Sequence, residues 1–207
     1  MTPEAVIFDI GNVLIRWNPE SFYDRTIGEA RRRALFAAVD LHGMNDAIDA
    51  GALFRETIYD WADRHPDWAE EIRMWYHNWI DMASPRIEGS ITLLRRLRAK
   101  GIPVFSLTNF GTHAFAYAQT QYEFLTEFDR GYVSGHMGVT KPAPRIYEMV
   151  EEDCGIAPDR LIFTDDRAEN IAVAAARGWR THLFDGPEGW ACRLVAEGLL
   201  TKEEAAL

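Results

Sequence analysis

Four polar clusters in this 207-residue chain carry side chains able to act on phosphorus. Asp9 closes the apolar run Ala5-Val-Ile-Phe8 and precedes a glycine turn at Gly11. A carboxylate fixed there can attack a phosphoryl group or hold a divalent metal, although alone it also reads as a turn-capping Asp. Thr108 and Asn109 end the run that begins at Ile102, and they offer a hydroxyl and an amide to phosphate oxygens or simply make a turn. Lys141 stands between Gly138 and Pro142, where an ammonium can offset the charge of two carboxylates and a phosphate. Taken singly it is an ordinary exposed lysine. Asp165 and Asp166 follow Leu161-Ile-Phe-Thr164. Adjacent carboxylates raise each other's pKa unless a cation compensates, and such hard oxygen donors suit Mg2+.

A scaffold must gather these clusters. Strand-like runs end at Phe8, Leu107, Val133, Thr164 and Leu183, with helical stretches between most of them. That alternation predicts an α/β fold, a parallel Rossmann-like sheet with helices on both faces and an inserted α-helical cap. Parallel strands present all their carboxyl ends at one edge, where ligands bind in open α/β sheets. One helix is expected from Glu88 to Lys100, with Ile91, Leu94 and Leu97 on one face and Gly101 and Pro103 as terminators. A second runs from Pro144, favoured in a first helical turn, to Asp153 and turns Ile146, Tyr147 and Val150 inward. A third runs from Ala168 to Arg177 and stops at Gly178.

The stretch from Trp17 to Ala83 shows no credible strand. Trp68, Ile72, Trp75 and Trp79 form one helical stripe, and Leu53, Phe54, Ile58 and Trp61 form another. An insert placed directly after the first strand predicts a small helical domain over the sheet edge. The expected division is residues 17–83 for this cap, with 1–16 and 84–207 making the core. The aromatic stripes read as the cap's own core, with a Trp on its lower face available to line a pocket.

Composition narrows the partners. A formal charge of −10 argues against nucleic acid, because nothing neutralises a phosphate backbone. The one basic run, Arg31-Arg-Arg33, reads as a solvated helix face. No apolar stretch approaches the ~18–20 residues that cross a bilayer, and no signal peptide is visible, so no membrane partner and a cytoplasmic location are expected. Cys154 and Cys192 fit no metal spacing and predict buried thiols in a reducing compartment. Both a monomer and a homodimer stay open.

The four clusters, in this order, resemble the motifs of the haloacid dehalogenase-type (HAD) hydrolase superfamily. Phe8-Asp-Ile-Gly-Asn-Val-Leu14 is similar to its first motif, Leu107-Thr-Asn109 to its second, Lys141-Pro142 to its third, and Phe163-Thr-Asp-Asp-Arg-Ala-Glu-Asn-Ile171 to its fourth. The helical insert resembles the family's C1-type cap. The resemblance implies that Asp9 attacks the phosphoryl group of a small phosphorylated metabolite and forms an aspartyl-phosphate. It implies Mg2+ held by Asp9, the Gly11 carbonyl and Asp165, with Asp166 acting through water. Thr108, the Asn109 backbone and Lys141 would bind the transferring oxygens, and Asn170 would orient the acidic loop.

One position departs from the family's pattern. Most phosphatases of this superfamily carry a second Asp two residues after the nucleophile, as general acid and then base; here Gly11 stands there. A missing general acid costs about 10²–10⁴-fold in rate. Asp9-Ile-Gly-Asn-Val-Leu14, with Gly51 in the cap, is most similar to a subgroup that includes sugar-1-phosphate phosphatases and shares the glycine. His42, His77 or bound water are substitutes for the acid, although a surface or packing role is the ordinary reading of both histidines. Two alternatives stay open: a 2-haloacid dehalogenase, which the acidic pair argues against, and a non-catalytic phosphate-binding protein.

Overall fold

The computed structural model describes residues 2–207. Strands β1 (Ala5–Phe8), β2 (Val104–Thr108), β3 (Arg130–Val133), β4 (Leu161–Asp165) and β5 (Arg180–Leu183) form one sheet, in the order β3-β2-β1-β4-β5. Every pairing is parallel. Each strand ends within one residue of the position expected from sequence. The three central strands are buried along their whole length and stop where polar loop residues begin, whereas the edge strands β3 and β5 are partly exposed. From β1 the chain fills one side of the sheet and then crosses to β4 on the other. Beside β1, between β2 and β4, lies the point where the strand order reverses, and a crevice opens there.

Alternation along the strands divides the core in two. Val6, Phe8, Val104 and Ile162 pack into one apolar cluster, while Ala5, Ile7, Phe105, Leu107, Leu161 and Phe163 pack into a second on the opposite face.

The insert supplies α1 (Pro19–Ile27), α2 (Glu29–Ala38), α3 (Leu41–Asp49), α4 (Phe54–Arg64), α5 (Ala69–His77) and the short α6 (Trp79–Met82). The sheet is then covered by α7 (Glu88–Ala99), α8 (Thr112–Gln121), α9 (Ser134–Met137), α10 (Pro144–Cys154), α11 (Ala168–Ala176) and α12 (Pro187–Ala196). The ends of α7, α10 and α11 fall one residue from expectation. Gly101 and Gly178 terminate two of them at φ 73° and 92°, a region costly for a residue with a Cβ.

Several expectations for the insert change on folding. Its apolar residues, including Trp75, Ile48 and Trp79, belong to the same continuous cluster as Val6 and Phe8 of the sheet. The Trp68-to-Trp79 stripe crosses three elements, because Trp68 ends a 3-10 turn (Pro66–Trp68) before α5 and the helix breaks again at Asn78 before α6. Leu53 is exposed, because it precedes α4 and points off its buried face. Arg31 is not simply solvated: it pairs with the buried Glu71 and lies over the Trp68 ring. Cys192 is exposed and Cys154 only half-buried, so the expectation of two buried thiols fails. No helix among the described residues is long and apolar enough to cross a membrane.

Candidate active site at the carboxyl edge of the sheet

Parallel pairing brings the four clusters together. Phe8 is in register with Thr164 of β4, and the Asp9 N–H continues the ladder to the Thr164 carbonyl at 2.9 Å. The residues after β1 and β4 therefore emerge side by side. Carboxylate oxygens of Asp9, Asp165 and Asp166 lie within 4.8 Å of one another. Asp9 and Asp165 are buried.

Lys141 enters this cluster from the loop before α10. Its Nζ lies 2.9 Å from Asp9 Oδ1, 2.6 Å from Asp165 Oδ2 and 2.8 Å from the Leu107 carbonyl. Three N–H donors meet three acceptors, so the ammonium is fully engaged by the protein itself. Burial works to lower its pKa, but Asp9 and Asp165 outweigh that and raise it. Asn109 fixes the lysine from behind: its Oδ1 accepts from the Lys141 N–H at 2.8 Å and its Nδ2 donates to the Lys141 carbonyl at 2.9 Å. The Asn109 side chain is thus committed to the Lys141 loop and is not free for a phosphate. Thr108 is buried in the cavity wall.

The two acidic neighbours differ in their surroundings. Asp165 Oδ1 accepts from the Arg167 N–H at 2.8 Å and from Asn170 Nδ2 at 3.0 Å. Its Oδ2 accepts from Lys141 at 2.6 Å and from Asn170 at 2.9 Å. Those four bonds use the acceptor capacity of a carboxylate. Asn170 therefore does brace the acidic loop, by gripping Asp165 directly. Asp166 is less engaged, taking one side-chain bond from Asn12 Nδ2 at 3.0 Å.

Asn12 went unrecognised as a site residue. It holds φ at 54°, a conformation that Asn tolerates better than most side chains, and its Oδ1 accepts from the Trp17 N–H at 3.0 Å. It thereby ties the loop after β1 to the loop after β4. The Gly-Asn dipeptide was the available signal, since turn chemistry already marks such a residue.

Charge dominates this edge. Burial pushes the Asp9 carboxyl up to about 7; Lys141 opposes that rise, while Asp165 and Asp166 add to it. Burial raises Asp166 as well. Three carboxylates facing one ammonium carry two excess negative charges when ionised, and a divalent cation would bring the cluster to neutrality. The donors are all oxygens, the set a hard cation takes. The residues present fit such an ion.

The cluster floors a cavity of about 370 Å³, within the range of small-molecule sites. Gly11 also lines it, and a Cβ built at that position meets nothing within 4 Å. The insert contributes Trp17, Glu20, His42, Asn45, Asp46, Asp49 and Trp79 to the walls. Two tryptophans thus line the pocket while packing against each other at 5.8 Å. His42 reaches the cavity but stands 3.2 Å from Glu20 on an exposed rim. His77 lies outside it, exposed and 3.2 Å from the Tyr59 hydroxyl, so it cannot serve the reacting centre. Asp49 went unnoticed in the sequence.

A family model described as haloacid dehalogenase-like hydrolase matches residues 3–178. A D-ribitol-5-phosphate phosphatase of Bacteroides thetaiotaomicron is 24% identical over 200 residues, covering 89% of this chain and 93% of that protein. A predicted HAD-like family hydrolase from Porphyromonas gingivalis superposes with a TM-score of 0.72 at 22% identity, over 95% of this chain and 98% of that one. A HAD family enzyme from Bacteroides thetaiotaomicron, solved in complex with magnesium and inorganic phosphate, has a TM-score of 0.59 at 22% identity, over 89% and 95%. The chain belongs to the haloacid dehalogenase-like hydrolase family.

Proposed function

We propose that this member of the haloacid dehalogenase-like hydrolases is a Mg2+-dependent phosphatase. Its substrate is a small phosphorylated metabolite, and an aspartyl-phosphate forms at Asp9. The observation that carries this reading is the buried convergence of Asp9 with Lys141, Asp165 and Asp166 at the switch point of the sheet. The magnesium-and-phosphate complex of a similarly folded protein and the phosphatase among the relatives point the same way.

Lys141 holds Asp9 Oδ1, which orients the carboxylate and leaves Oδ2 for attack on phosphorus. As the Asp9–phosphorus bond forms, the ester oxygen leaves; water then displaces the phosphate from Asp9. A bound Mg2+ would supply neutralisation of the charge that the carboxylates and a phosphoryl group bring together. Asp9, the Gly11 carbonyl and the less engaged Asp166 would hold it. The saturated Asp165 acts instead as the anchor of Lys141 and Asn170, reversing the division between the two acids implied by the family resemblance. Thr108 offers its hydroxyl, and Asn109 its backbone, to the transferring oxygens. Lys141 reaches them only by releasing one of its three present acceptors.

Residues 17–83 act as the cap that chooses the leaving group. Its cavity-facing Glu20 and Asp46 would repel a second anionic group and accept hydrogen bonds from hydroxyls, while Trp17 and Trp79 present flat apolar faces. A neutral, hydroxylated leaving group, a sugar or polyol, suits that lining. The enzyme works as a monomer or homodimer in the cytoplasm, where unpaired thiols such as Cys154 and Cys192 persist.

The test is phosphate release from a panel of sugar phosphates, polyol phosphates, nucleotides and acyl phosphates, with Mg2+ and with EDTA. Mg2+-dependent release that Asp9→Asn abolishes supports the reading. Halide release from 2-haloacids in EDTA would replace it with dehalogenation, and phosphate binding without turnover of any ester would replace it with a binding role.

A further inference from the structure

We propose that Asp49, carried by the cap at the end of α3, is the general acid that protonates the departing oxygen. It performs the task for which position 11 has no side chain. This proposal rests on the phosphatase reading above.

Position comes first. Asp49 and Asp9 line the same cavity, one from the insert and one from the sheet edge. The segment holding Asp49 is pinned to the core at several points. Its carbonyl accepts from the Ser134 hydroxyl at 2.6 Å. Its carboxylate accepts from Asn45 Nδ2 at 2.9 Å and from the Gly111 backbone N–H. A Cβ at Gly111 would lie 2.4 Å from Ile48 Cγ2, so the loop after β2 admits the end of α3 only because that residue is glycine. Gly51, at φ +112°, lets the chain turn away, and a Cβ there would lie 3.3 Å from the Gly135 carbonyl. A carboxyl delivered across such a junction is held by the body of the enzyme although it belongs to the cap.

The other acids of the cavity have another assignment or lie at the rim, Asp166 being a proposed metal ligand. Asp166 is bonded to Asn12, Glu20 pairs with His42 on the exposed rim, and Asp46 is exposed. Asp49 is only partly accessible, and its protonated and ionised forms coexist near neutral pH. Burial, with Asp46 and Asp9 nearby, pushes its carboxyl up to about 7 against the bonds from Gly111 and Asn45. A value close to the working pH is what a group that first gives and then takes a proton requires.

The protons balance over two steps. In the first, an Asp9 oxygen bonds to phosphorus, the phosphorus–ester bond breaks, and the leaving oxygen takes the Asp49 proton. In the second, ionised Asp49 takes a proton from water as that oxygen bonds to phosphorus. The Asp9–phosphorus bond then breaks, and both aspartates return to their starting states.

The discriminating experiment compares two leaving groups in Mg2+. One substrate is an alkyl phosphate that the unmodified enzyme hydrolyses; the other is 2,4-dinitrophenyl phosphate, whose phenolate leaves without a proton. Asp49→Asn should lower kcat/KM about 10²–10⁴-fold for the alkyl ester and less than about tenfold for the activated one. Asp49→Ala, which also removes the tether to Gly111, should show the same split. Equal losses on both esters, or none on the alkyl ester, would overturn the proposal. The activated ester also reports that each variant is folded. Asp9→Asn must abolish both reactions; if it spares the activated ester, the phosphatase mechanism itself fails, whatever Asp49 does.

Discussion

Replacing Asp49 by Asn should make the protein more stable, and increasingly so as pH rises. An unfolded chain ionises Asp49 near 3.8, whereas the folded protein holds its proton to about 7. Below the lower value both states are protonated and the carboxyl is neutral in its effect. Between the two, the unfolded chain has released a proton that the folded chain keeps, so each rise in pH costs the folded state. Above about 7 both are ionised and the loss is complete. At about 1.4 kcal/mol per pH unit, the interval from pH 5.5 to about 7 amounts to roughly 2 kcal/mol. The amide is nearly isosteric: it still accepts from the Gly111 N–H, and Asn45 can turn its own amide to accept in place of donating. Urea denaturation of the two proteins at fixed Mg2+ should therefore show the advantage of Asp49→Asn growing by about 2 kcal/mol between pH 5.5 and 8.5. In a chain of this size that is a relative Tm shift of about 4–8 °C. A constant difference between the two pH values would refute the reasoning, and so would a variant less stable at pH 8.5. Either result would mean that Asp49 is ionised in the folded protein at neutral pH.

Asp9→Asn should remove turnover while leaving the far-UV spectrum and melting unchanged, and retention of more than about 5% activity would exclude a covalent route through Asp9. Asp166→Asn should raise the Mg2+ concentration for half-maximal activity at least about tenfold in a folded protein. Asp165→Asn should instead destabilise by about 3–5 kcal/mol, because it strips Lys141 and Asn170 of a buried carboxylate; equal Mg2+ effects in two well-folded variants would reject that division. Gly11→Asp should recover at least about tenfold of the alkyl-phosphate activity lost in Asp49→Asn, since the added side chain enters open space, and no recovery in the double variant would show that proton donation was not the missing function.

The sheet was legible because its information is local. The three central strands are short runs of mostly apolar residues, and each runs into polar residues, Asp9, Thr108-Asn109 and Asp165-Asp166, at the carboxyl edge. Asp9, Thr108, Lys141 and the Asp165–Asp166 pair could be gathered from order alone, since parallel topology leaves one edge for all of them. What order could not convey is how donors and acceptors are shared once they meet. That Lys141 spends all three protons on the protein, and that Asp165 is saturated while Asp166 is not, depends on loops such as Asn12 and Asn109 closing around them. The insert was the opaque part. Asp49 stands at a helix end in a sequence whose amphipathic pattern gives an acidic residue an exposed place, and only the docking of α3 against Gly111 and Ser134 withdraws it from water.

That docking bears on how one chain can choose a substrate and still keep its chemistry. When the proton donor follows the nucleophile in the same loop, the acid is present whether or not the cap has closed. On the proposal above the donor is instead Asp49, whose segment is tied to the core through the Ser134 hydroxyl. A leaving group that fits the 370 Å³ cavity then meets that acid. Discrimination of this kind falls on kcat for poor leaving groups and spares activated esters, since the latter need no proton. On the proposal that Asp49 is the acid, glycine at position 11 leaves proton transfer to a residue of the insert, so a leaving group must fit the cavity that Asp49 and Asp9 share in order to be protonated.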